Sequence, residues 1–237
     1  MVSVTKSPEQ SLPGPPEPPE EETGAPRLVT TWLVLGIVLA GSLLVGLGFL
    51  VGGSRSAGPG EWAGTILGAP QQIPDAVLTD TDGAPFDLRA ETAGTTTIMM
   101  FGFTNCADVC PINLASLTAA LDELGDSRAS GIRVILITVD PERDTEAVLR
   151  QYLDRFDPVY VGLTGSPAQL AAVQQAANVP EAQRESADAN GAYQVGHASQ
   201  LIVYQEDGLA RIAYPFGTRQ ADWTRDLPRL LDGDVPS

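Results

Sequence analysis

Two apolar runs constrain this chain more than any other feature. Ile98, Met99, Met100, Phe101 and Phe103 form one, and Ile132-Arg-Val-Ile-Leu-Ile-Thr-Val139 forms the other. Runs of this length without alternation read as strands buried on both faces. Between them Leu114, Leu117, Leu121 and Leu124 recur at spacings of three and four, the period of an amphipathic helix from Pro111 that Gly125 would stop. The rest of the chain continues the alternation. Val77–Leu88 carries a hairpin signal at Asp82-Gly83. Asp140 and Pro141 suit the N-cap and first position of a helix reaching about Phe156, followed by a short strand at Tyr160–Leu163. Ser166-Pro167 opens a helix to about Ala177. Glu181–Ala192 reads as a polar loop, Tyr193–Val195 and Ser199–Tyr204 as strands, and Asp207-Gly208 as the turn into Leu209–Tyr214. A last helix is expected over Arg219–Leu231. The sum is an α/β sandwich, a central mixed β-sheet flanked by helices.

What precedes that domain has a different character. Residues 1–26 are rich in Pro and Glu and lack apolar periodicity, the signature of a disordered tail. Leu28–Val51 is twenty-four residues without a charge, enough for one transmembrane helix. Leu39-Ala-Gly-Ser42 resembles a lipoprotein box, but Ser stands where the lipidated Cys would be. Lys6 and Arg27 precede the span and Arg55 follows it, so the positive-inside rule leans toward a cytoplasmic tail and an extracytoplasmic C-terminal domain at the cell membrane. Residues 52–72, rich in Gly, Ser and Pro, read as a flexible stalk, and 73–232 as the folded domain. The net charge of −16 would repel phosphate backbones, which argues against a nucleic-acid partner.

Cys106 and Cys110 are the only cysteines, and they fall where the first apolar strand gives way to a helix. Free amides and the helix dipole favour an anionic sulfur at such a junction. A structural disulfide is the plain alternative, although so short a loop gains little from closure. His197 is the only histidine and by itself reads as an ordinary polar residue. Two thiolates and one imidazole nevertheless make a three-ligand set suited to copper, sulfur favouring Cu(I) and imidazole admitting Cu(II). Structural zinc would want a fourth protein ligand, and no third cysteine or second histidine exists. Met99 and Met100 are soft too, but adjacent strand residues point to opposite faces, so both read as core. Asp108 reads as a loop or capping residue before an outer ligand. Asp140 and Asp144 come near the same sheet edge but read first as helix-start residues.

The segments Thr104-Asn-Cys106-Ala-Asp-Val-Cys110-Pro111, Val139-Asp-Pro-Glu-Arg-Asp144 and Tyr193-Gln-Val-Gly-His197, in this order, resemble the Sco/SenC family of membrane-anchored, thioredoxin-like copper proteins. The resemblance implies a thioredoxin-like fold over most of Ile73–Leu231. It also implies that Cys106, Cys110 and His197 bind copper as Cu(I), Cu(II) or both, and that the chain helps deliver it to the dinuclear copper centre of cytochrome c oxidase subunit II. Some members of the family are suspected of thiol–disulfide reductase activity, which would make Cys106 and Cys110 a redox-active pair. Ala107 stands where the family usually has proline, and Ala198 where it usually has a hydroxyl residue; neither change removes a ligand. C-x-x-x-C spacing and a distant histidine fit a metallochaperone better than a thioredoxin-type enzyme, whose motif is C-x-x-C.

Overall fold

A computed structural model describes residues 60–187 and 193–234. The strands are β1 (Thr65–Gln72), β2 (Val77–Asp80), β3 (Pro85–Asp87), β4 (Thr96–Gly102), β5 (Ile132–Thr138), β6 (Val161–Thr164), β7 (Gln183–Arg184), β8 (Val195–Gly196), β9 (Leu201–Tyr204) and β10 (Leu209–Tyr214). The helices are α1 (Leu88–Thr92), α2 (Val109–Leu124), α3 (Asp126–Ala129), α4 (Glu146–Leu153), α5 (Pro167–Ala176) and α6 (Gln220–Leu231).

Eight strands form one mixed sheet in the order β1-β10-β9-β4-β5-β6-β2-β3. The two apolar runs lie at its centre: β4 and β5 pair in parallel from Thr96 opposite Ile132 to Gly102 opposite Thr138. β6 extends the parallel part, whereas β9 runs antiparallel to β4 on the other side. Each central strand divides its side chains between two layers. Ile98 and Met100 join Val134 and Leu136 under α2, α4 and α6, with Leu114, Leu117, Leu149, Trp223 and Leu227. Met99 and Phe101 join Ile135 and Ile137 on the opposite face, with Leu170 and Val173 of α5 and Leu88 of α1. Both methionines are therefore core, on opposite sides, as their adjacency requires. Each such large apolar side chain contributes about 1.5–3 kcal/mol on burial, which fixes the centre of the sheet and the end of β4 with it.

Several boundaries differ from the sequence reading. Most of the expected stalk's last part, Thr65–Gln72, is an edge strand paired with β10, with a register shift between Ile66 and Gln71. Ordered structure begins still earlier, where the Ala63 amide donates to buried Asp226 at 2.8 Å and the Arg229 guanidinium lies 3.7 Å from the Trp62 ring centroid. The helix expected from Asp140 starts at Glu146 instead, with the Thr145 side chain accepting from the Val148 amide, and ends at Leu153. Asp140 cannot cap it because its carboxylate is already engaged by Arg143 and by the Tyr193 hydroxyl. Pro111 is the third residue of α2 rather than the first, a position where a missing N–H is still harmless. Within the expected loop, Gln183–Arg184 pairs antiparallel with Val195–Gly196. The tail over 1–26 and the transmembrane helix over 28–51 lie outside the described residues. Among the described residues no helix is long and apolar enough to cross a membrane.

Candidate metal centre

β4 delivers the chain to the carboxyl edge of the sheet, where Phe103 is still buried and Thr104–Asp108 turns into α2. Cys110, in the first turn of α2, is fully buried, while Cys106 in the turn is half-buried; both are free thiols. Gly102 makes this possible. A Cβ there would stand 2.6 Å from the Cys110 Sγ and 3.0 Å from the Leu136 Cδ1, so only glycine lets the sulfur settle against the end of the strand. The Cys110 amide, one of the unpaired donors at the helix start, points at the Cys106 Sγ at 3.5 Å. Asp108 occupies the N-cap position but its side chain makes no capping bond, and it stands outside the donor cluster.

His197 arrives from the far side, just past β8. Its Nε2 is 3.9 Å from the Cys110 Sγ, and its Nδ1 is 2.8 Å from the Ala198 carbonyl oxygen. A carbonyl can only accept, so Nδ1 carries a proton, and Nε2 is the ring nitrogen turned toward the sulfurs. The contact uses the backbone of Ala198, so the residue's missing hydroxyl does not affect it. Phe103 meets the imidazole edge to face, 5.5 Å between centroids. The two sulfurs and a ring nitrogen all lie within 4.8 Å of one another.

The two thiols are not equivalent. Cys106 is pulled down to about 4, first by the hydrogen bond from the Cys110 thiol and then, against the cost of desolvation, by the Cys110 amide, His197 and the Asp108 amide. Cys110 is pushed strongly up, because it donates that hydrogen bond and lies deep in the core. The apoprotein thus holds one thiolate at the rim and one thiol at the floor, sharing a proton. The donors fit copper: sulfur and imidazole nitrogen are the soft and borderline ligands it prefers.

Asp140 and Asp144, expected at a helix start, instead brace the two halves of this site. Fully buried Asp144 accepts from the Thr104 amide at 3.0 Å, the Thr104 hydroxyl at 2.6 Å and the Thr138 hydroxyl at 2.6 Å, tying the cysteine turn to the end of β5. Asp140 accepts from the Tyr193 hydroxyl at 2.8 Å and pairs with Arg143, whose guanidinium stacks 3.7 Å from the Tyr193 ring centroid. Asn113 also escaped the sequence reading. Its amide donates to the Ser199 carbonyl at 3.0 Å, two residues beyond His197, and accepts from the Gly217 amide at 3.3 Å. A polar residue on the buried face of an amphipathic helix was the available signal.

The sequence profile described as SCO1/SenC matches residues 68–232. The solution structure of apo Sco1 from Thermus thermophilus superposes with a TM-score of 0.64 at 30% identity, covering 72% of this chain and 97% of that one. The structure of Bradyrhizobium japonicum ScoI with copper bound gives a TM-score of 0.59 at 32% identity, over 69% of this chain and 99% of the other. Protein SCO1 homolog 1, mitochondrial, of Arabidopsis thaliana is 38% identical over 142 residues, which are 60% of this chain and only 40% of that protein.

Proposed function

This chain belongs to the SCO1/SenC family and shares the mixed α/β, thioredoxin-like fold of its Sco relatives, and from that membership we propose that it is a copper metallochaperone. Copper is its cargo, held by Cys106, Cys110 and His197 and passed to the dinuclear copper centre of cytochrome c oxidase subunit II. One observation carries the reading: sulfur from a turn, sulfur from a helix and nitrogen from a remote arm converge within 4.8 Å, although His197 is 87 residues from Cys110 in sequence. In this scheme Cys110 is the fixed floor of the site, and Cys106, half-exposed, is the sulfur an acceptor thiolate would displace first. The domain is held at the cell membrane by a single helix over 28–51, with 1–26 cytoplasmic and the folded domain from 73 to 232, together with β1, on the extracytoplasmic side.

A second reading has its own support. Low-pKa, solvent-reachable Cys106 beside Cys110 is suited to thiol–disulfide exchange, in which the Cys106 thiolate attacks a partner disulfide and Cys110 resolves the mixed disulfide. Loading the full chain with Cu(II) separates the two. The copper reading expects one copper per chain with sulfur-to-copper charge-transfer absorption, lost in Cys106→Ser and Cys110→Ser. A wild-type chain that binds no copper yet reduces disulfides would establish the exchange reading instead.

A further inference from the structure

His197 hangs on an arm with little support of its own. Among the described residues β8 pairs only with the two-residue β7, and the Nδ1 contact is to the neighbouring residue. Beyond His197 the arm is tied to α2 through Asn113. Ahead of it, the Gln194 carbonyl accepts from the Glu185 amide at 2.9 Å, and Tyr193 is gripped through its hydroxyl, its carbonyl and its ring. Its hydroxyl donates to Asp140 at 2.8 Å, and its carbonyl accepts from the Arg143 Nη1 at 3.2 Å. Its ring lies 3.7 Å from the Arg143 guanidinium carbon and 3.8 Å from that of Arg184. Two guanidinium groups cannot share one face at those distances, so the ring is clamped between them. Arg143 binds the ring, the carbonyl and the Asp140 carboxylate at once. Phe103, next to the cysteine turn, packs with Tyr193 and Val195 and also touches the imidazole. Asp140 and Arg143 follow directly on the end of β5, so the clamp refers the arm to the same rigid sheet edge that holds the sulfurs.

We propose that Asp140, Arg143 and Tyr193 form a latch that positions His197 over the two sulfurs, so that closing or releasing this clamp sets how firmly the third ligand holds its metal. The proposal rests on the reading of Cys106, Cys110 and His197 as a copper site. The latch residues supply no donor atom themselves; Tyr193 and Arg143 also meet Phe103, whose cluster packs against Cys106, so these three are positioning residues and the test must separate their effect through His197 from any effect through the cysteine turn.

Dependence on His197 gives the test. Copper loss from the Cu(I)-loaded full chain to a competing chelator is timed for Arg143→Leu, Tyr193→Leu and Tyr193→Phe, each alone and combined with His197→Ala. With His197 present, the first two accelerate loss about tenfold, the scale expected when a ligand's orienting partner is removed. Tyr193→Phe, which keeps the stack and loses only the hydroxyl bond, has a smaller effect. With His197→Ala none of the three adds further acceleration, because the latch has nothing left to position. Equal acceleration in both backgrounds, or none in either, overturns the proposal. Hydrogen exchange on the apoprotein gives a reading independent of copper. Amides of residues 194–199 exchange faster in Tyr193→Phe at an unchanged unfolding midpoint, and in Arg143→Leu by a larger factor than the amides of β4 and β5; unchanged exchange overturns the latch. If the wild-type chain binds no copper, the copper reading falls, and this exchange measurement still decides the latch. Should Arg143→Leu fail to fold, Tyr193→Phe, which removes a single oxygen, carries both measurements.

Discussion

At Cys106 a single side chain takes on the reactivity of the whole edge. Two backbone amides, a neighbouring thiol and an imidazole all favour its anion, and only partial burial opposes them. The sequence showed the cause in outline, sulfur at a helix start, but not its allocation. Which cysteine becomes the thiolate depends on depth: Cys110 is sealed between β4 and α2 and keeps its proton, and its thiol then stabilises Cys106. Because the folded pKa is depressed, the Cys106 thiolate is fully formed at every pH well above about 4. Alkylation of Cys106 in the apoprotein by iodoacetamide is therefore expected to be nearly independent of pH from roughly 6 to 8, where an ordinary thiol gains about tenfold per unit. A rate that climbs throughout that range with an inflection near the usual thiol value would contradict the assignment. His197 was a candidate in the sequence as the one imidazole beside two thiols, and the fold does bring it to the sulfurs. The parts played by Tyr193, Arg143 and Asn113 were not legible, because their roles depend on which strands end beside one another.

Among elements, the β4–turn–α2 unit was the most legible, since continuous apolar residues and helical leucine spacing both follow from burial. The Asp140–Asp144 segment was misread because good capping residues also make good braces. Local propensity favoured an immediate helix, but the carboxylates are held by Thr104, Thr138, Arg143 and Tyr193, so the helix waits for Thr145. β1 was missed for a different reason: its exposed edge position needs no apolar alternation, and Gly68, Pro70 and two glutamines disguise it as linker. The packing of Cys110 against Gly102 makes the unit testable. Gly102→Ala forces a methyl group into the Cys110 Sγ and Leu136, an overpacking expected to cost about 1–3 kcal/mol in chemical denaturation. It also moves the thiol that stabilises Cys106, so the alkylation profile shifts toward that of an ordinary cysteine. Wild-type stability together with a wild-type profile would show that the close approach has no consequence.

Taken whole, the molecule places three donors at one edge of a sheet whose centre is among its most deeply buried parts. The turn, the helix and the histidine arm are each tied to the ends of β4 and β5, two by buried aspartates and one by a glycine contact. A soft-metal cage built from flexible loops would pay a large ordering cost; here the sheet has already ordered the sulfurs, and only the arm remains adjustable. The alternation of strands and helices could be read from the chain, and so could the ligand inventory. Their convergence could not, because it depends on the pairing order that sets β9 beside β4 and on the clamp that brings the arm across. X-ray absorption on the Cu(I)-loaded full chain tests that convergence most directly. A copper shell of two sulfurs and one nitrogen is expected in the wild type and of two sulfurs without that nitrogen in His197→Ala; an identical shell in both proteins would rule out a three-ligand site.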